Sequence, residues 1–180
     1  MRRVWLPAVL ALAACNPQPQ HAPNSVTASP TPSSMPALQI TGSGTAKKPV
    51  VINQYQQSGN RKLYRLVARS YTSRSAQSIA QATFQEPTVT FYDKDGTKMT
   101  AQAPTASLER GKQVILTGGV HAKTSTGLNL TCDRLTYDQH TGLLHGEGHV
   151  QITGMQGGQQ QVLTGNSFTS DIKLTQMVMK

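Results

Sequence analysis

One short β pattern that occurs twice, and then in part a third time, constrains the fold of this chain more than any other feature. The full copies cover residues 103–120 and 132–150, and the partial copy covers 165–171. In each full copy, two strand-like segments flank a turn that contains glycine, and the second segment reaches a Gly-x-Val motif. The first glycines of these motifs, Gly118 and Gly148, are 30 residues apart. Repetition at this period predicts hairpins that stack side by side, each covering a face that its neighbour leaves open.

Period-two alternation of apolar and polar residues dominates from Leu38 onward, and helical periodicity is nearly absent. The sequence Asp93-Lys-Asp-Gly96 predicts a tight hairpin turn, because Asp-Gly tolerates the positive φ angles that such turns require. Residues 73–76 suggest a polar break between strands, and 172–178 a last strand. About a dozen short strands at this spacing are typical of an all-β sandwich, barrel or jelly roll.

The first fifteen residues have the parts of a secretory signal: basic Arg2 and Arg3, an apolar stretch, and small residues before Cys15. Leu12-Ala-Ala-Cys15 also resembles a bacterial lipobox, in which cleavage leaves a lipid-modified cysteine at the new N-terminus. The alternative is an ordinary signal peptide with an incidental cysteine. Residues 1–14 are therefore predicted to be a lipoprotein signal peptide, with Cys15 as the lipidation site.

The next segment, up to residue 37, is rich in Pro, Ser, Gln, Asn and Thr and has few apolar residues. Such a composition cannot bury enough surface to offset the entropy lost on ordering. Residues 15–37 are accordingly predicted to be the lipidated cysteine and a disordered tether, and 38–180 the folded domain.

The residues that could support catalysis or metal binding have simpler structural interpretations. Cys132 lies in a strand pattern, where a free cysteine is a small buried hydrophobe. Glu109 and Asp138 occupy equivalent strand ends in the repeat, where carboxylates cap turns. His145-Gly-Glu-Gly-His149 could bring two imidazoles and a carboxylate to one face of a strand, but Val150 and Ile152 continue the opposite, apolar face. The histidine face is therefore predicted to be solvated, and the sequence predicts no catalytic residue, metal or cofactor.

Positive charge gives a stronger indication of function than these motifs. The formal net charge is +9, and no acid lies between Lys47 and Glu86, a stretch that includes Arg61, Arg65 and Arg69. A basic region on an exported protein favours an anionic partner such as a phosphorylated lipid, an acidic glycan or a membrane surface, and export disfavours nucleic acid. A solvated basic face without a ligand is the alternative.

Several short motifs, taken in order and spacing, resemble those of the LptC/LptA (OstA-like) family of lipopolysaccharide-transport proteins. They are Arg65-Leu-Val-Ala68, Val89–Tyr92 with Asp95-Gly96 and Ala101-x-Ala, Leu116-Thr-Gly-Gly-Val120, Leu130-Thr-x-x-x-Leu135-x-Tyr137-Asp138, and Gly148-x-Val150. The resemblance spans about Leu38 to Met177. It implies a single twisted, open β jelly roll of a dozen or more antiparallel strands with an apolar interior.

The resemblance also implies a non-enzymatic role in lipopolysaccharide transport. A member of the LptC type accepts lipopolysaccharide from the permease subunits of an inner-membrane ABC transporter and passes it to an LptA-like periplasmic bridge protein. The tether fits LptC better than LptA. LptC is ordinarily held by a transmembrane helix, whereas here a lipobox stands in its place, so a periplasmic lipoprotein anchored in the inner rather than the outer membrane is expected.

The resemblance and the alternation together give candidate positions for lipid A. The candidate interior residues are Leu66, Val89, Phe91, Leu116, Val120, Leu130, Tyr137, Val150, Ile152 and Phe168. Arg61, Arg65 and Arg69 are candidates for phosphate contact. The alternative for the apolar set is a closed core that binds nothing.

Two other functions stay open at this point. One is an outer-membrane or periplasmic lipoprotein scaffold of the same fold that binds protein partners through its sheet edges. The other is a glycan-binding or glycan-processing module, which the absence of tryptophan after Trp5 and the small number of carboxylates disfavour.

Overall fold

The computed structural model describes residues 38–41, 44–45, 47–56, 60–75, 78–109 and 112–180. The predicted signal peptide, Cys15 and the tether lie outside the described residues. Within the described part there are thirteen strands: β1 (Leu38–Thr41), β2 (Val50–Tyr55), β3 (Lys62–Ala68), β4 (Ser70–Ser75), β5 (Ser78–Gln85), β6 (Thr88–Tyr92), β7 (Lys98–Gln102), β8 (Thr105–Glu109), β9 (Gln113–Thr124), β10 (Asn129–Asp138), β11 (Leu144–Gln156), β12 (Gln159–Ser170) and β13 (Met177–Met179). No helix among the described residues is both long and apolar enough to cross a bilayer.

The strands form one open antiparallel sheet, as the sequence predicts. Its main path runs β1-β2-β3-β6-β7-β9-β10-β11-β12-β13, and a branch β4-β5-β8 also joins β9. The branch arises because β9 is long: residues 113–117 pair with β8, whereas 121–124 pair with β7. The predicted fold class, an all-β open jelly roll, is confirmed.

A line of bulges and links crosses the sheet, and we call it the crease. In β9 it falls at Gly118 and Gly119, both with a φ of 94°, and in β11 at Gly148, with a φ of 74°. The pairing of β10 with β9 and β11 shifts register at the same level, beside Asp133. Extra residues at a bulge bend a strand and increase its twist. Aligned bulges in neighbouring strands therefore fold the whole sheet over.

The shorter strands end at the crease, and the residues that link them cross it. The remaining crease residues are Arg69, Glu86–Pro87, Ala103–Pro104 and Asn166. The amide of Glu86 donates to the carbonyl of Pro104 over 2.9 Å, which holds two of these links side by side. Pro87 and Pro104 have no backbone N–H to donate, so they fall where the ladder breaks.

The crease divides the sheet into two halves. Half A contains β1, β2, β3, β6 and β7 with residues 120–124, 129–132, 150–156 and 159–165 of the long strands. Half B contains β4, β5, β8 and β13 with residues 113–117, 134–138, 144–147 and 167–170. The halves face each other, because Phe91 in half A lies 4.7 Å from Tyr137 in half B between ring centroids.

The structure corrects three expectations about individual elements. Residues 73–75 belong to strand β4 and are not a break. The predicted last strand shortens to β13, because Asp171 caps a turn with its carboxylate on the amide of Thr175 at 2.8 Å. The Gly-x-Val motifs do not end their strands, since β9 and β11 run on beyond the crease.

Candidate functional site

The interior between the two halves is apolar and contains every candidate position for the lipid. All ten candidate residues belong to one cluster of buried side chains, and none exposes more than 2% of its surface. They come from β3, β6, β9, β10, β11 and β12, and so from both halves. In this structure the side chains pack on one another, and the space is filled rather than hollow.

Three aromatic rings occupy the part of the interior farthest from the crease. The centroid of Tyr64 lies 6.5 Å from that of Phe91 and 6.4 Å from that of Tyr137, both in edge-to-face arrangements. The Tyr64 hydroxyl is buried and forms no hydrogen bond among the described groups, and the same holds for the amide nitrogen of Gln139. Burial raises the pKa of Tyr64 well above its usual value, an effect that the nearby Gln139 side chain partly opposes. A buried hydroxyl without a well-formed hydrogen bond costs about 1–3 kcal/mol, so the Tyr64 hydroxyl lowers the stability of this end of the core.

A pocket of about 450 Å³, which we call the mouth, opens to solvent above these rings. Leu63, Tyr137 and Ile172 supply its apolar lining. Arg61, Lys94 and Lys173 contribute positive charge to its wall, and Asp93 and Asp171 contribute negative charge. The mouth brings the ends of half A and half B together on the side opposite the crease, and it joins an apolar interior to a charged rim.

An ion-pair cluster, which we call the latch, ties the two halves at this side. Lys173 Nζ, in the loop after β12, lies 3.0 Å from Asp95 Oδ2 and 3.3 Å from Asp93 Oδ2, in the turn after β6. The amide of Thr97 is the main cause, and Lys173 a further cause, of a pKa of Asp95 far below its usual range. Asp95 in turn raises the pKa of Lys173. The sequence analysis assigns Asp95 to a turn but gives no indication that Lys173, 78 residues away, would join it.

The three candidate phosphate contacts separate in the structure. Arg61 lines the mouth, where its Nε donates to Gln56 Oε1 over 3.0 Å. Arg65 is exposed on the outer face of half A, and Arg69 pairs with Glu86 at the crease over 3.2 Å. Only Arg61 of the three therefore lies beside the interior.

The outer face of half B carries the histidine motif. His145 Nε2 lies 3.1 Å from Glu147 Oε1, on a side chain that is half exposed. The positive φ at Gly148 and His149 turns His149 away, so that its Nδ1 lies 2.7 Å from Asp133 Oδ2 instead. Among the residues that the structure describes, no three His, Cys, Asp or Glu side chains are grouped closely enough to hold a metal ion.

Among the described strands, none pairs with the outer edge of half A along residues 159–164 of β12, and this edge carries apolar side chains. Residues 159–165 of β12 pair with β11 on one side, and β13 pairs only with residues 168–170. Val162 and Leu163 are each 50% exposed on this edge. Unpaired edges with apolar side chains are sites where a second chain can add a strand.

A family model described as LptC, lipopolysaccharide-assembly, LptC-related, matches residues 29–180. Among solved structures, the chain is similar to the crystal structure of LptH, the LptA homologous periplasmic component of the conserved lipopolysaccharide transport device from Pseudomonas aeruginosa. That match has 14% identity and a TM-score of 0.47, and it covers 64% of this chain and 80% of that chain. Comparison with curated protein sequences gives no match.

Proposed function

Because this chain belongs to the LptC-related lipopolysaccharide-assembly family, we propose that it accepts lipopolysaccharide from an inner-membrane ABC transporter and passes it toward a periplasmic bridge protein. The acyl chains of lipid A would lie between half A and half B, and the protein would act without catalysing a reaction. The observation that carries this proposal is the continuous apolar interior, whose end at the mouth lies beside a charged rim that includes Arg61 and Lys94.

The energetics of transfer favour such an interior. Removing acyl surface from water contributes about 25 cal/mol per Å². Leu66, Val89 and Leu116, which come from both halves, offer aliphatic contacts of that kind and are fully buried. Since these side chains now contact each other, lipid entry requires the halves to separate, and apolar contacts between the halves would be exchanged for contacts with acyl chains.

Separation would begin at the mouth. The latch is a polar connection across the mouth, and its charged groups are partly exposed, so each ion pair contributes little to stability. Opening the latch would also give the Tyr64 hydroxyl access to water or to a lipid headgroup. The mouth is therefore the part of the boundary between the halves where opening costs least.

Phosphate recognition belongs to the same rim in this proposal. Arg61 and Lys94 lie at the mouth, where the Arg61 side chain donates a hydrogen bond to Gln56 Oε1. A guanidinium group can bind two phosphate oxygens at once. Lipid A carries phosphates beside its acyl chains, and Arg61 would hold them at the surface while the chains enter.

Transfer to the next protein would use the free edge of β12. An incoming strand of an LptA-like bridge protein could pair with residues 159–165 and extend half A. Continuation of the sheet across two molecules would align their interiors. Val162 and Leu163 would then be covered by the added strand.

The anchor is a separate part of the proposal. Lipid attachment at Cys15 would hold the domain at the periplasmic face of the inner membrane, and the following tether would let it reach the transporter. Mass spectrometry of the N-terminal peptide from the purified membrane fraction would detect a diacylated or triacylated Cys15. An unmodified peptide that begins elsewhere would contradict the anchor without affecting the interior.

Site-specific photocrosslinking tests the carrier role. A photoreactive phenylalanine analogue replaces Phe91 in the interior, and a matched variant carries it at Thr83, an exposed position on β5 in half B. In proteoliposomes that contain the transporter and lipopolysaccharide, we expect ATP-dependent crosslinks from position 91 and few from position 83. Equal labelling at both positions, or labelling that does not depend on ATP, would count against the proposal.

A second function is favoured by the filled state of the interior. If the halves never separate, the protein would serve as an outer-membrane or periplasmic scaffold that binds protein partners through the edge of β12. In that case the variant at position 91 would give no lipopolysaccharide crosslink under any condition. The same photoreactive group at Leu163 would still crosslink to a protein.

A further inference from the structure

Charge is distributed unequally between the two halves of the sheet. The chain contains eight acidic residues, and none lies in a strand segment of half A. They fall at the crease, in the turn after β6, in half B and in the loop after β12: Glu86, Asp93, Asp95, Glu109, Asp133, Asp138, Glu147 and Asp171. The strands of half A therefore carry no acidic residue, and the two carboxylates in the turn between β6 and β7, Asp93 and Asp95, are paired with Lys173.

The outer face of half A carries four cations in its central strands. They are Lys62 and Arg65 on β3, Lys98 on β7 and Lys123 on β9. Arg65 stands in register with Thr90, Thr100 and Lys123 across four strands, with the hydroxyls of Thr90 and Thr100 3.3 Å apart. Three inter-strand steps separate Arg65 from Lys123 by about 14 Å. The charges are thus spread over a broad polar surface and do not form a point site.

Two tyrosine rings lie among these cations. Lys62 Nζ is 5.7 Å from the ring centroids of both Tyr55 and Tyr92, and Lys98 Nζ is 5.7 Å from that of Tyr92. Tyrosine and lysine together are enriched where a protein meets the headgroup layer of a bilayer, because each has an apolar body and a polar end.

We infer that the outer face of half A docks on an anionic phospholipid bilayer through Lys62, Arg65, Lys98 and Lys123, with Tyr55 and Tyr92 at the headgroup level. Charge complementarity favours an anionic partner. The breadth of the cationic face and the uncharged threonines between its cations favour an extended layer of headgroups over a single ligand. The inference concerns a surface outside the interior and goes beyond the proposed transport function.

Vesicle binding with charge-matched variants tests this inference. The full chain with Cys15→Ser carries no attached lipid, and its partition is measured on vesicles of phosphatidylcholine alone or with an equal share of phosphatidylglycerol. Lys98→Gln with Lys123→Gln removes two charges from the face, and Lys112→Gln with Lys180→Gln removes two exposed charges elsewhere. Each lysine near an anionic surface strengthens binding several-fold. We therefore expect the first double variant to bind about thirtyfold more weakly.

The control double variant should bind phosphatidylglycerol vesicles nearly as well as the parent chain. Added salt should release the parent chain and the control variant from these vesicles. The apolar stretch before Cys15 inserts regardless of headgroup charge, so only the difference between vesicle types counts. Equal losses in both double variants would overturn the inference, since net charge alone would then explain binding. Binding only to vesicles that contain lipopolysaccharide would also overturn it.

The outcome is separable from that of the transport proposal. Crosslinking from position 91 reports on the interior, and the Lys98 and Lys123 changes leave the interior intact because both side chains point outward. Loss of interior crosslinks with normal vesicle binding would contradict transport alone. Loss of vesicle binding with normal crosslinks would contradict the docking surface alone.

Discussion

Gly146, in half B, shows how a single missing side chain shapes the interior. A Cβ atom at this position would overlap the ring of Phe168, which is 1% exposed in the core. The ring is rigid and enclosed, so it cannot yield as the end of a flexible chain would. The position thus requires glycine for packing, whereas Gly118 and Gly148 require it for their positive φ angles.

We predict that Gly146→Ala lowers the free energy of unfolding by about 1–3 kcal/mol through overpacking against Phe168. Urea denaturation at fixed pH measures the change through the midpoint, with an unchanged slope. Gln151→Ala, at an exposed position of the same strand, is the control and should change stability by less than about 0.5 kcal/mol. Unaltered stability of Gly146→Ala would mean that the core near Phe168 is looser than described.

Asp138 gives a pH-dependent prediction at the same scale. Its Oδ1 accepts hydrogen bonds from the amides of Thr141 at 3.0 Å and His140 at 2.8 Å, and the Thr141 amide is the main cause of a lowered pKa. A pKa that is lower in the folded state stabilises the protein above the unfolded value of about 4, and this contribution disappears as the pH falls through the folded pKa.

Asp138→Asn keeps an oxygen acceptor for the turn but removes the titrating group. We expect its urea midpoint to fall less steeply than that of the parent chain as the pH decreases below about 4. Glu109→Gln removes the same charge from the equivalent position of the first repeat copy and is the control. If both variants reduce the pH dependence of the urea midpoint equally, overall charge rather than the Asp138 turn governs the loss of stability in acid.

The strand elements were largely predictable because local rules determine them. Alternation identifies most strands, and the Asp95-Gly96 turn forms where the sequence places it, since the φ of Gly96 is 89°. The function of the Gly-x-Val repeat was not evident from one strand alone. Its glycines matter because bulges in three neighbouring strands align, and that alignment depends on register between distant segments.

The candidate site was predictable only in part, for a related reason. Inward-facing positions follow from alternation within a strand, and all ten candidates lie inside. Long-range pairs such as Lys173 with Asp95 arise from the folding of the sheet and leave no local pattern. The arginines at positions 65 and 69 share a short segment with Arg61, but strand pleating and the crease direct the three to different surfaces.

The edge of β12 carries a prediction at the level of the element. Leu163→Lys places a charge on the free edge, where charged residues discourage strand addition. Because Leu163 is already 50% exposed, the fold should remain stable, and binding to an LptA-like bridge protein should fall at least tenfold.

Analytical ultracentrifugation of the mixture measures the complex with the bridge protein. Thr72→Lys, on the edge strand β4 at the end of the branch, is the matched control and should leave binding unchanged. Equal weakening by both substitutions would show that neither edge is used specifically.

For the whole molecule, the crease and the latch together define how the two halves can move. Continuous strands hold the halves together along the crease. On the opposite side, the halves are joined among the described residues by the latch, which is a cluster of ion pairs. Motion is therefore expected to open the sheet like a hinged cover, with the mouth as its moving side. A carrier of acyl chains needs such an opening, but a scaffold does not.

Locking the mouth distinguishes these cases. Asp95→Cys with Lys173→Cys, in a chain that also carries Cys15→Ser, places two exposed thiols where the latch side chains meet, and a short bismaleimide can join them. Cys132 should not react, because it is buried and burial raises the pKa of its thiol to about 12. We expect the unlinked double variant to take up fluorescent lipid A at least as fast as the parent chain and the linked form to take up several-fold less. Attachment of the same reagent to a single thiol, in Lys173→Cys, controls for the bulk of the reagent. Uptake that is unaffected by the link would mean that lipid enters without separation of the halves.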